Sequence, residues 1–257
     1  MTEAGFLILG IAAGILSGLF GIGGGIVMVP SLIVLFGFSL LDANATSLAA
    51  MLLPVGALGV WAYYKAGLVN IKESLWISAG LFAGSFFGGE LAVTINESLL
   101  AKIYAGILIY VALSYFNLPA LFKKKKREHA TPEVPGSKPV WAFVLVGLGA
   151  GVFAGLFGKG GGLIIVPLLI GIFHYDAKAA AATSLAALQL PVGLPSVVIY
   201  ANEGHLHWLA AALIATGIVI GSLIGSKISV KLSSVIFKKV YAAFLLIVAG
   251  YMVFKYI

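Results

Sequence analysis

Two glycine-rich stretches are the part of this sequence best suited to binding a small ion. They read Gly21-Ile-Gly-Gly-Gly25 and Gly158-Lys-Gly-Gly-Gly162. Glycine adopts positive φ without steric cost, so either stretch can interrupt a helix. A helix that starts after such a break presents free N–H groups and the positive end of its dipole, which favour an anion. We therefore predict an anion site built from Gly23, Gly24, Gly25, Gly160, Gly161 and Gly162. The alternative role is close helix packing, for which small residues are common in membranes.

A second repeated feature is a Thr-Ser pair that stands before a proline. Thr46 and Ser47 precede Pro54, and the same spacing recurs in the second half of the chain, at Thr183 and Ser184. Hydroxyl groups can donate hydrogen bonds to the oxygens of an anion. The alternative is local, because a buried Ser or Thr often bonds the carbonyl four residues back in its own helix. The identical place of both pairs after a glycine stretch puts them in the predicted site.

Two polar residues of the second half correspond to apolar residues in the first. Lys159 stands where the first glycine stretch has Ile22, and Gln189 stands where the first half has Leu52. A cation within the glycine stretch would attract an anion, or its side chain could instead extend to the cytoplasmic interface. Gln189 either lines the pathway or bridges two helices. Both are included in the predicted substrate site.

Glu90 is the only acidic residue that lies well inside an apolar stretch. Charged residues within a membrane suggest function, so Glu90 is the candidate for proton coupling, for pairing with Lys227, or for anchoring at the interface. His205-Leu-His207 has no acidic third ligand at helical spacing, and cysteine is absent. We therefore predict no metal site, no disulfide and no cofactor.

The composition indicates that these residues lie in a protein whose surface is mostly in contact with lipid. Apolar residues make up 61% of the 257 residues, charged residues make up 10%, and the mean hydropathy is +1.11. A soluble domain keeps about a quarter of its residues charged, so most of this surface must face lipid. Five of the sixteen basic residues form one run, Lys123–Arg127, between apolar segments. Such a run marks the cytoplasmic side of a membrane protein and argues against nucleic acid as the partner.

The second half of the chain repeats the first, in an alignment without gaps that places Gly14 on Gly151. Between Gly14 and Gly67, 27 of 54 aligned positions are identical in the two halves. The sequence therefore predicts three parts: a first membrane repeat (1–122), a basic cytoplasmic linker (123–139) and a second membrane repeat (140–257).

Each half divides into five apolar segments, which lie at roughly 5–20, 24–37, 43–64, 74–95, 99–121 and at 140–157, 161–174, 179–201, 207–227, 236–256. The later three of each half reach the roughly 20 residues of a full span, and the opening two are shorter, joined by glycines and closed by proline. Such interrupted segments at matching places point to the binding site of a transporter.

The predicted fold is thus an all-α polytopic membrane protein of two homologous repeats, with four to five helical segments each and eight to ten in total. Five crossings per half would invert the second repeat, which is the arrangement we favour. A re-entrant opening segment would make the repeats parallel. A cytoplasmic linker puts Lys65 and Lys72 inside and Glu203, His205 and His207 outside, in agreement with the positive-inside rule.

The paired motif resembles that of a known family. G-x-G-G-G-x-x-x-V-P occurs twice, ending at Pro30 and Pro167, and A-T-S-L follows each copy. It is similar to the TauE/SafE-type sulfite and sulfonate exporters. The resemblance implies a multi-pass transporter of the cytoplasmic membrane that moves small sulfur anions such as sulfite, a sulfonate or sulfoacetate. Lys159 departs from the apolar residue that is usual in the motif.

The leading hypothesis is a secondary transporter, an exporter, for a small anion. An anion channel is the first alternative. An intramembrane enzyme is the second, but it needs a Ser/His or paired Asp constellation that the sequence does not offer, so no enzyme is expected. The expected partners are the anion and the lipid bilayer. The sequence leaves open the anion, the direction of transport, the coupling ion and whether the chain forms a homo-oligomer.

Overall fold

The computed structural model describes residues 2–100 except 55 and 97, residues 139–233 except 159 and 160, and positions 102, 103, 106, 236, 240 and 243. The described residues form helices and no strand, which confirms the predicted all-α class. The first half contains α1 (Thr2–Phe20), α2 (Gly25–Leu35), α3 (Leu40–Ala50), α4 (Ala57–Lys65) and α5 (Ile71–Thr94). The second contains α6 (Val140–Phe157), α7 (Gly162–Gly171), α8 (Ala177–Ala187), α9 (Leu194–Asn202) and α10 (Trp208–Lys231). The predicted linker and most of both fifth segments lie outside the described residues.

Among the described residues, four helices are long and apolar enough to cross a membrane: α1, α5, α6 and α10. About half of each is buried in the protein, and the other side carries large exposed apolar residues such as Ile8, Phe87, Leu145 and Ile220. Such a surface suits lipid rather than water. The chain is accordingly a multi-pass membrane protein.

The opening segments differ from the prediction in length. The sequence suggested that the first two segments of each half are too short to cross the membrane. The first segments, α1 and α6, are in fact long enough, with 19 and 18 residues. Conversely, the third segments were predicted as full spans, and each is broken into helices of 11 and 9 residues. The breaks fall at 51–56 and 188–193, around the Leu-Pro-Val-Gly sequence that occurs in both halves, because proline cannot donate a helical hydrogen bond.

The α2 helix folds back along α1. Gly24 lies beside Ala13 in the middle of α1, and the ring of Phe36 stacks on Phe6 with 4.4 Å between centroids. The two helices therefore form a hairpin whose outer ends lie at the same end of the protein. Pro30 was expected to end the second segment, but it lies inside α2.

The two halves are joined by two tight pairs of parallel helices, α1 with α10 and α5 with α6. Each helix has three glycines at a spacing of four on the contact side. A Cβ at Gly14 would lie 2.8 Å from the Cα of Ile218, and one at Gly88 would lie 3.0 Å from the Cα of Gly155. These distances are too short for any side chain, so glycine is required for the backbones to approach. The glycines are Gly10, Gly14, Gly18, Gly80, Gly84, Gly88, Gly147, Gly151, Gly155, Gly217, Gly221 and Gly225.

Contacts between the halves show that α1 and α6 run in opposite directions. The end of α1 meets α8 at Gly21, and α8 meets the start of α5, where the N–H of Asn70 donates to Thr183 Oγ1. The helix α5 therefore begins where α1 ends and runs back. Since α6 is parallel to α5, it is antiparallel to α1. This course is the one expected of an inverted repeat.

The protein has two chemically different ends. An apolar cluster joins the two halves at one end of the protein and contains Tyr63, Leu68, Val69 and Val230. The lysines of α4, α5, α8 and α10 lie around it, and we call this end the lysine end. They are Lys65, Lys72, Lys178, Lys227 and Lys231. Asp42, His205 and His207 lie together at the opposite end, the histidine end. Glu90 lies towards the histidine end of α5 and Lys227 towards the lysine end of α10. The two residues therefore do not pair, and of the roles considered for Glu90 proton coupling and anchoring at the interface stay open.

Candidate functional site

Two half-length helices, α2 and α7, begin inside the protein. Their N-cap residues are Gly24 and Gly161, which have no side chain to cap the first N–H groups. Gly24 is beside Ala13, and Gly161 is beside Ala150, so both helices start level with the middle of a long helix. Interior helix starts of this kind are possible in lipid only where other protein groups or a ligand satisfy the backbone.

The glycine stretches are the local reason for these starts. Gly21, Gly23 and Gly24 have φ of 69°, 81° and 75°, and Gly158 has φ of 63°. Other residues rarely adopt this left-handed region, so each break requires glycine. The prediction that glycine interrupts the opening segments is confirmed by the position of the breaks.

The two breaks lie against each other and against the opposite half. Gly162 contacts Gly21 so closely that a Cβ there would overlap the Gly21 carbonyl. Gly158 packs equally closely on Asn44 of α3, whose side-chain amide donates to the Leu156 carbonyl at 3.1 Å. The structure therefore brings Gly162 of the predicted set to the first glycine break, at Gly21 and Ile22. Lys159 and Gly160 lie outside the described residues.

The two predicted Thr-Ser pairs have different environments. Ser184 Oγ donates to the Gly21 carbonyl at 2.7 Å, and Thr183 Oγ1 accepts the Asn70 N–H at 3.3 Å. Thr46 and Ser47 have no exposed surface, and neither hydroxyl has a hydrogen-bond partner among the described residues. A buried hydroxyl without a partner costs about 1–3 kcal/mol. Among the described residues, the second pair thus forms hydrogen bonds across the protein, and the hydroxyls of the first pair are buried without a partner.

Gln189 lies beside the break between α3 and α4, where it packs against Gly56. Its side-chain amide donates to the Leu185 carbonyl at 2.6 Å, and Oε1 is buried with no partner within the described part of the chain. It borders a groove of about 410 Å³ that also contains Trp61, Tyr64 and Ser74. Leu185 directly follows Ser184 of the predicted site, so Gln189 contacts the same helix as the second Thr-Ser pair.

A small cavity lies where the breaks at 51–56 and 188–193 approach each other. Its volume is about 20 Å³, which suits about one water molecule. The lining residues come from both halves and are Leu48, Met51, Leu81, Ser85, Ala154, Leu188, Val192 and Gly193. Within the described residues, this cavity leaves room for little more than a water molecule between the two breaks.

Serines of α5 support the broken third segment of the second half. Ser74 donates to the Thr183 carbonyl at 3.0 Å, Ser78 to the Ala187 carbonyl at 2.6 Å and Ser85 to the Val192 carbonyl at 2.6 Å. The bonds to Ala187 and Val192 stabilise carbonyls at the end of α8 and in the break after it, which would otherwise be unsatisfied in lipid. These serines were not among the predicted site residues, although their spacing places them on one face of α5.

Two tyrosines have the same role before the glycine breaks and were also missed. The Tyr63 hydroxyl donates to the Gly18 carbonyl at 2.8 Å, and the Tyr200 hydroxyl donates to the Gly155 carbonyl at 2.8 Å. Both tyrosines are fully buried. In the alignment of the two halves, Tyr63 falls on Tyr200 and Gly18 falls on Gly155. Comparison of the two halves would therefore have identified both tyrosines.

The remaining ionisable candidates are not part of this site. Glu90 is exposed on α5. Within the described ranges, no group of three His, Asp or Glu side chains has the arrangement of a metal site. The fold nevertheless brings Asp42 to His205, an acidic neighbour that helical spacing did not predict.

Comparison with known proteins supports transport. The family model described as sulfite exporter TauE/SafE matches residues 6–252. Membrane transporter MJ0441 of Methanocaldococcus jannaschii, named as probable, is 30% identical over 78% of this chain and 74% of its own. YunE and YdhB of Bacillus subtilis, named in the same way, are 27% and 26% identical and cover 82% and 79% of this chain, and 82% and 81% of their own. No solved structure matches. These names indicate a transporter rather than an enzyme.

Proposed function

The chain belongs to the sulfite exporter TauE/SafE family, and we propose that it exports a small sulfur-containing anion, such as sulfite, a sulfonate or sulfoacetate. Its relatives are named membrane transporters, and the family description supplies the sulfur chemistry and the direction. The following features of the molecule support the proposal.

The observation that carries the proposal is the meeting of α2 and α7 inside the protein. Both helices begin at a glycine, and the break before α2 touches the start of α7 at Gly162. The N-terminal turns of helices bind anions through N–H groups and the helix dipole without a fixed charge. Anion binding there avoids the desolvation cost of burying a permanent cation.

The buried hydroxyls of Thr46 and Ser47 provide further donors. They lie on α3, whose Asn44 packs against Gly158 in the second break. The equivalent hydroxyls of α8 already form hydrogen bonds, that of Ser184 with the Gly21 carbonyl and that of Thr183 with the Asn70 N–H. We therefore place the substrate between α3 and the second glycine break, with Lys159 as a sequence-based candidate for an added positive charge.

The opposite directions of α1 and α6 suit alternating access. Inverted repeats allow one half to rock against the other around a central site. The cavity between the breaks at 51–56 and 188–193 has a volume of about 20 Å³, which is too small for a sulfur oxyanion. Anion passage thus requires the breaks at 51–56 and 188–193 to separate.

The lysine end is proposed to face the cytoplasm, together with linker 123–139. It gathers Lys65, Lys72, Lys178, Lys227 and Lys231, and cytoplasmic loops carry an excess of lysine and arginine. The protein would then span the cytoplasmic membrane with the histidine end outside.

Proteoliposomes that contain the purified full-length chain test the function. Labelled sulfite and a small sulfonate should exchange across the membrane, whereas a carboxylate of similar size should not compete. Counterflow against unlabelled anion should occur in a transporter and be absent in a channel. The absence of any sulfur-anion flux in protein that is folded and inserted would reject the proposal.

The double variant Thr46→Val with Ser47→Ala tests the site. It removes two hydroxyls that have no partner among the described residues, so the fold should be retained while the anion flux falls at least tenfold. The matched control is Thr216→Val, because Thr216 is exposed and donates to the Ala212 carbonyl of its own helix. Equal flux in the double variant and the control would place the substrate elsewhere.

A further inference from the structure

A cluster of titratable side chains at the histidine end lies outside the proposed anion site. Oδ1 of Asp42 lies 2.8 Å from Nδ1 of His205, and Oδ2 lies 3.8 Å from Nε2 of His207. Asp42 and His205 are 163 positions apart, so the tertiary fold brings them together. The side chains of Asp42, His205 and His207 are 26%, 29% and 50% exposed, so protons reach all three from water.

The cluster connects segments that belong to different halves. Asp42 lies in the first turn of α3, and its N–H donates to Ser39 in the segment that joins α2 to α3. The histidines lie between α9 and α10, and the His207 ring packs on Phe38 with 4.5 Å between centroids. Phe38 in turn contacts Phe6 of α1. A change in the Asp42–His205 contact therefore reaches the half-helix α2 and the hairpin it forms with α1.

The cluster has no equivalent at the lysine end. In the alignment of the two halves, Asp42 corresponds to Ala179, while His205 and His207 correspond to Leu68 and Asn70. None of these three replacements gains or loses a proton in the physiological range. The repeat therefore does not reproduce this carboxylate–imidazole contact at the lysine end.

We propose that Asp42, His205 and His207 form a proton-binding latch that closes the histidine end. Histidine is the side chain whose charge ordinarily changes between pH 5 and 8. With neutral imidazole, His205 donates its Nδ1–H to the Asp42 carboxylate, so only the acceptor is charged. With protonated imidazole both partners are charged and the contact becomes an ion pair, to which protonated His207 adds further attraction. Acid therefore tightens the contact across this end, and rising pH loosens it.

The charged groups that face Asp42 are these two histidines. The Ser39 hydroxyl adds a polar contact from the N-cap of α3, and α1 contributes the Phe6 ring through Phe38. Glu3 and Glu203 are exposed at the same end, and among the described residues neither forms an ion pair with the cluster. Asp42 is therefore the carboxylate on which the histidine charge acts.

Hydrogen-exchange mass spectrometry on the full chain in lipid nanodiscs tests the latch without a transport assay. After correction for the intrinsic pH dependence of exchange, amides at 37–43 and 203–208 should be about two- to fivefold more protected at pH 5.5 than at pH 7.5. Asp42→Asn should remove this gain. His174→Gln, in an exposed loop at the lysine end, should retain it. An equal gain in the wild type and Asp42→Asn, or no gain in the wild type, would overturn the proposal.

His205→Gln is the second test of the latch. It is needed if Asp42→Asn loses protection throughout the chain, because that variant would then be destabilised as a whole. The glutamine amide keeps a hydrogen-bond donor for Asp42 but cannot take up a proton. The latch requires His205→Gln to keep its protection at pH 7.5 and to lose most of the gain at pH 5.5. A full gain at pH 5.5 in this variant would contradict it.

The effect of the latch on transport rests on the proposed function. In proteoliposomes, acid at the histidine end should slow anion exchange in the wild type at least twofold and leave His205→Gln unaffected. A pH-dependent gain in protection without any anion flux would reject the proposed function while the proton site stands. Flux that depends equally on pH in both proteins would overturn the latch.

Discussion

The Ser184 hydroxyl donates a hydrogen bond of 2.7 Å to the carbonyl oxygen of Gly21, so the second half of the chain closes the glycine break of the first. Ser47 is its equivalent in the alignment of the two halves and is equally buried. Its hydroxyl has no partner in the part of the chain that the structure describes. Among the described residues, two side chains that the sequence makes equivalent therefore differ in their hydrogen bonding, since Ser184 joins the two halves and Ser47 is buried without a partner.

Ser184→Ala should destabilise the protein by about 1–3 kcal/mol, because the Gly21 carbonyl loses a donor inside the membrane. Ser47→Ala should leave the stability unchanged or slightly higher, because it removes a buried hydroxyl for which the described residues offer no partner. Thermal unfolding in detergent measures both changes, and proteoliposome flux should fall in Ser47→Ala. The opposite ranking of the two unfolding temperatures would refute this assignment of roles.

The two buried tyrosines should be equally important to the long helices that precede the glycine breaks. Tyr63→Phe and Tyr200→Phe each leave a helix-end carbonyl without its hydroxyl donor, so each should cost about 1–2 kcal/mol. Unfolding with increasing amounts of a denaturing detergent measures the loss. Tyr64→Phe is the control, because Tyr64 is largely exposed. A loss in Tyr64→Phe as large as in the other two would argue against the role of these bonds.

The glycine faces between the halves should tolerate no side chain. A Cβ at Gly151 would lie 2.9 Å from the Cα of Leu81, whereas Gly149 on the same helix has open space around it. Gly151→Leu should therefore destabilise the protein by at least about 1–3 kcal/mol, and Gly149→Leu should have little effect. Size-exclusion chromatography and thermal unfolding distinguish them. Normal stability of Gly151→Leu would mean that α5 and α6 are not in close contact.

The two ends of the protein should lie on opposite faces of the membrane. The wild-type chain has no cysteine, so single cysteines at exposed positions report sidedness directly. Lys72→Cys should react with an impermeant maleimide only from the cytoplasmic face, and Glu203→Cys only from the outer face. Intact cells and inverted vesicles provide the two measurements. Labelling of both positions from one face would disprove the proposed orientation.

Much of this fold could be predicted because lipid restricts what a chain can do. The low charge content required helices with apolar surfaces, and the two glycine stretches allowed the opening segments to break at positive φ. The lengths of the segments could not be predicted as well. Hydropathy does not distinguish a continuous span from two half-helices joined at Pro54, because both are equally apolar.

The surroundings of the candidate site could be predicted only in part, for a similar reason. The glycines and the Thr-Ser pairs were recognised from their residue types and their duplication. Which hydroxyls were free could not be recognised, because the partner of Ser184 is 163 residues away at Gly21. The same distance along the chain separates Asp42 from His205, so the contact that defines the histidine end was not visible in the sequence.

The sequence by itself determined that this protein is helical, lies in a membrane and has glycine breaks at equivalent places in its two halves. These properties depend on composition and on residues that are near each other in the chain. The tertiary structure decided which hydroxyls are bonded, which helices pair and which charges meet. Those outcomes depend on the packing of α1 on α10 and of α5 on α6, contacts between distant residues that local propensity does not specify.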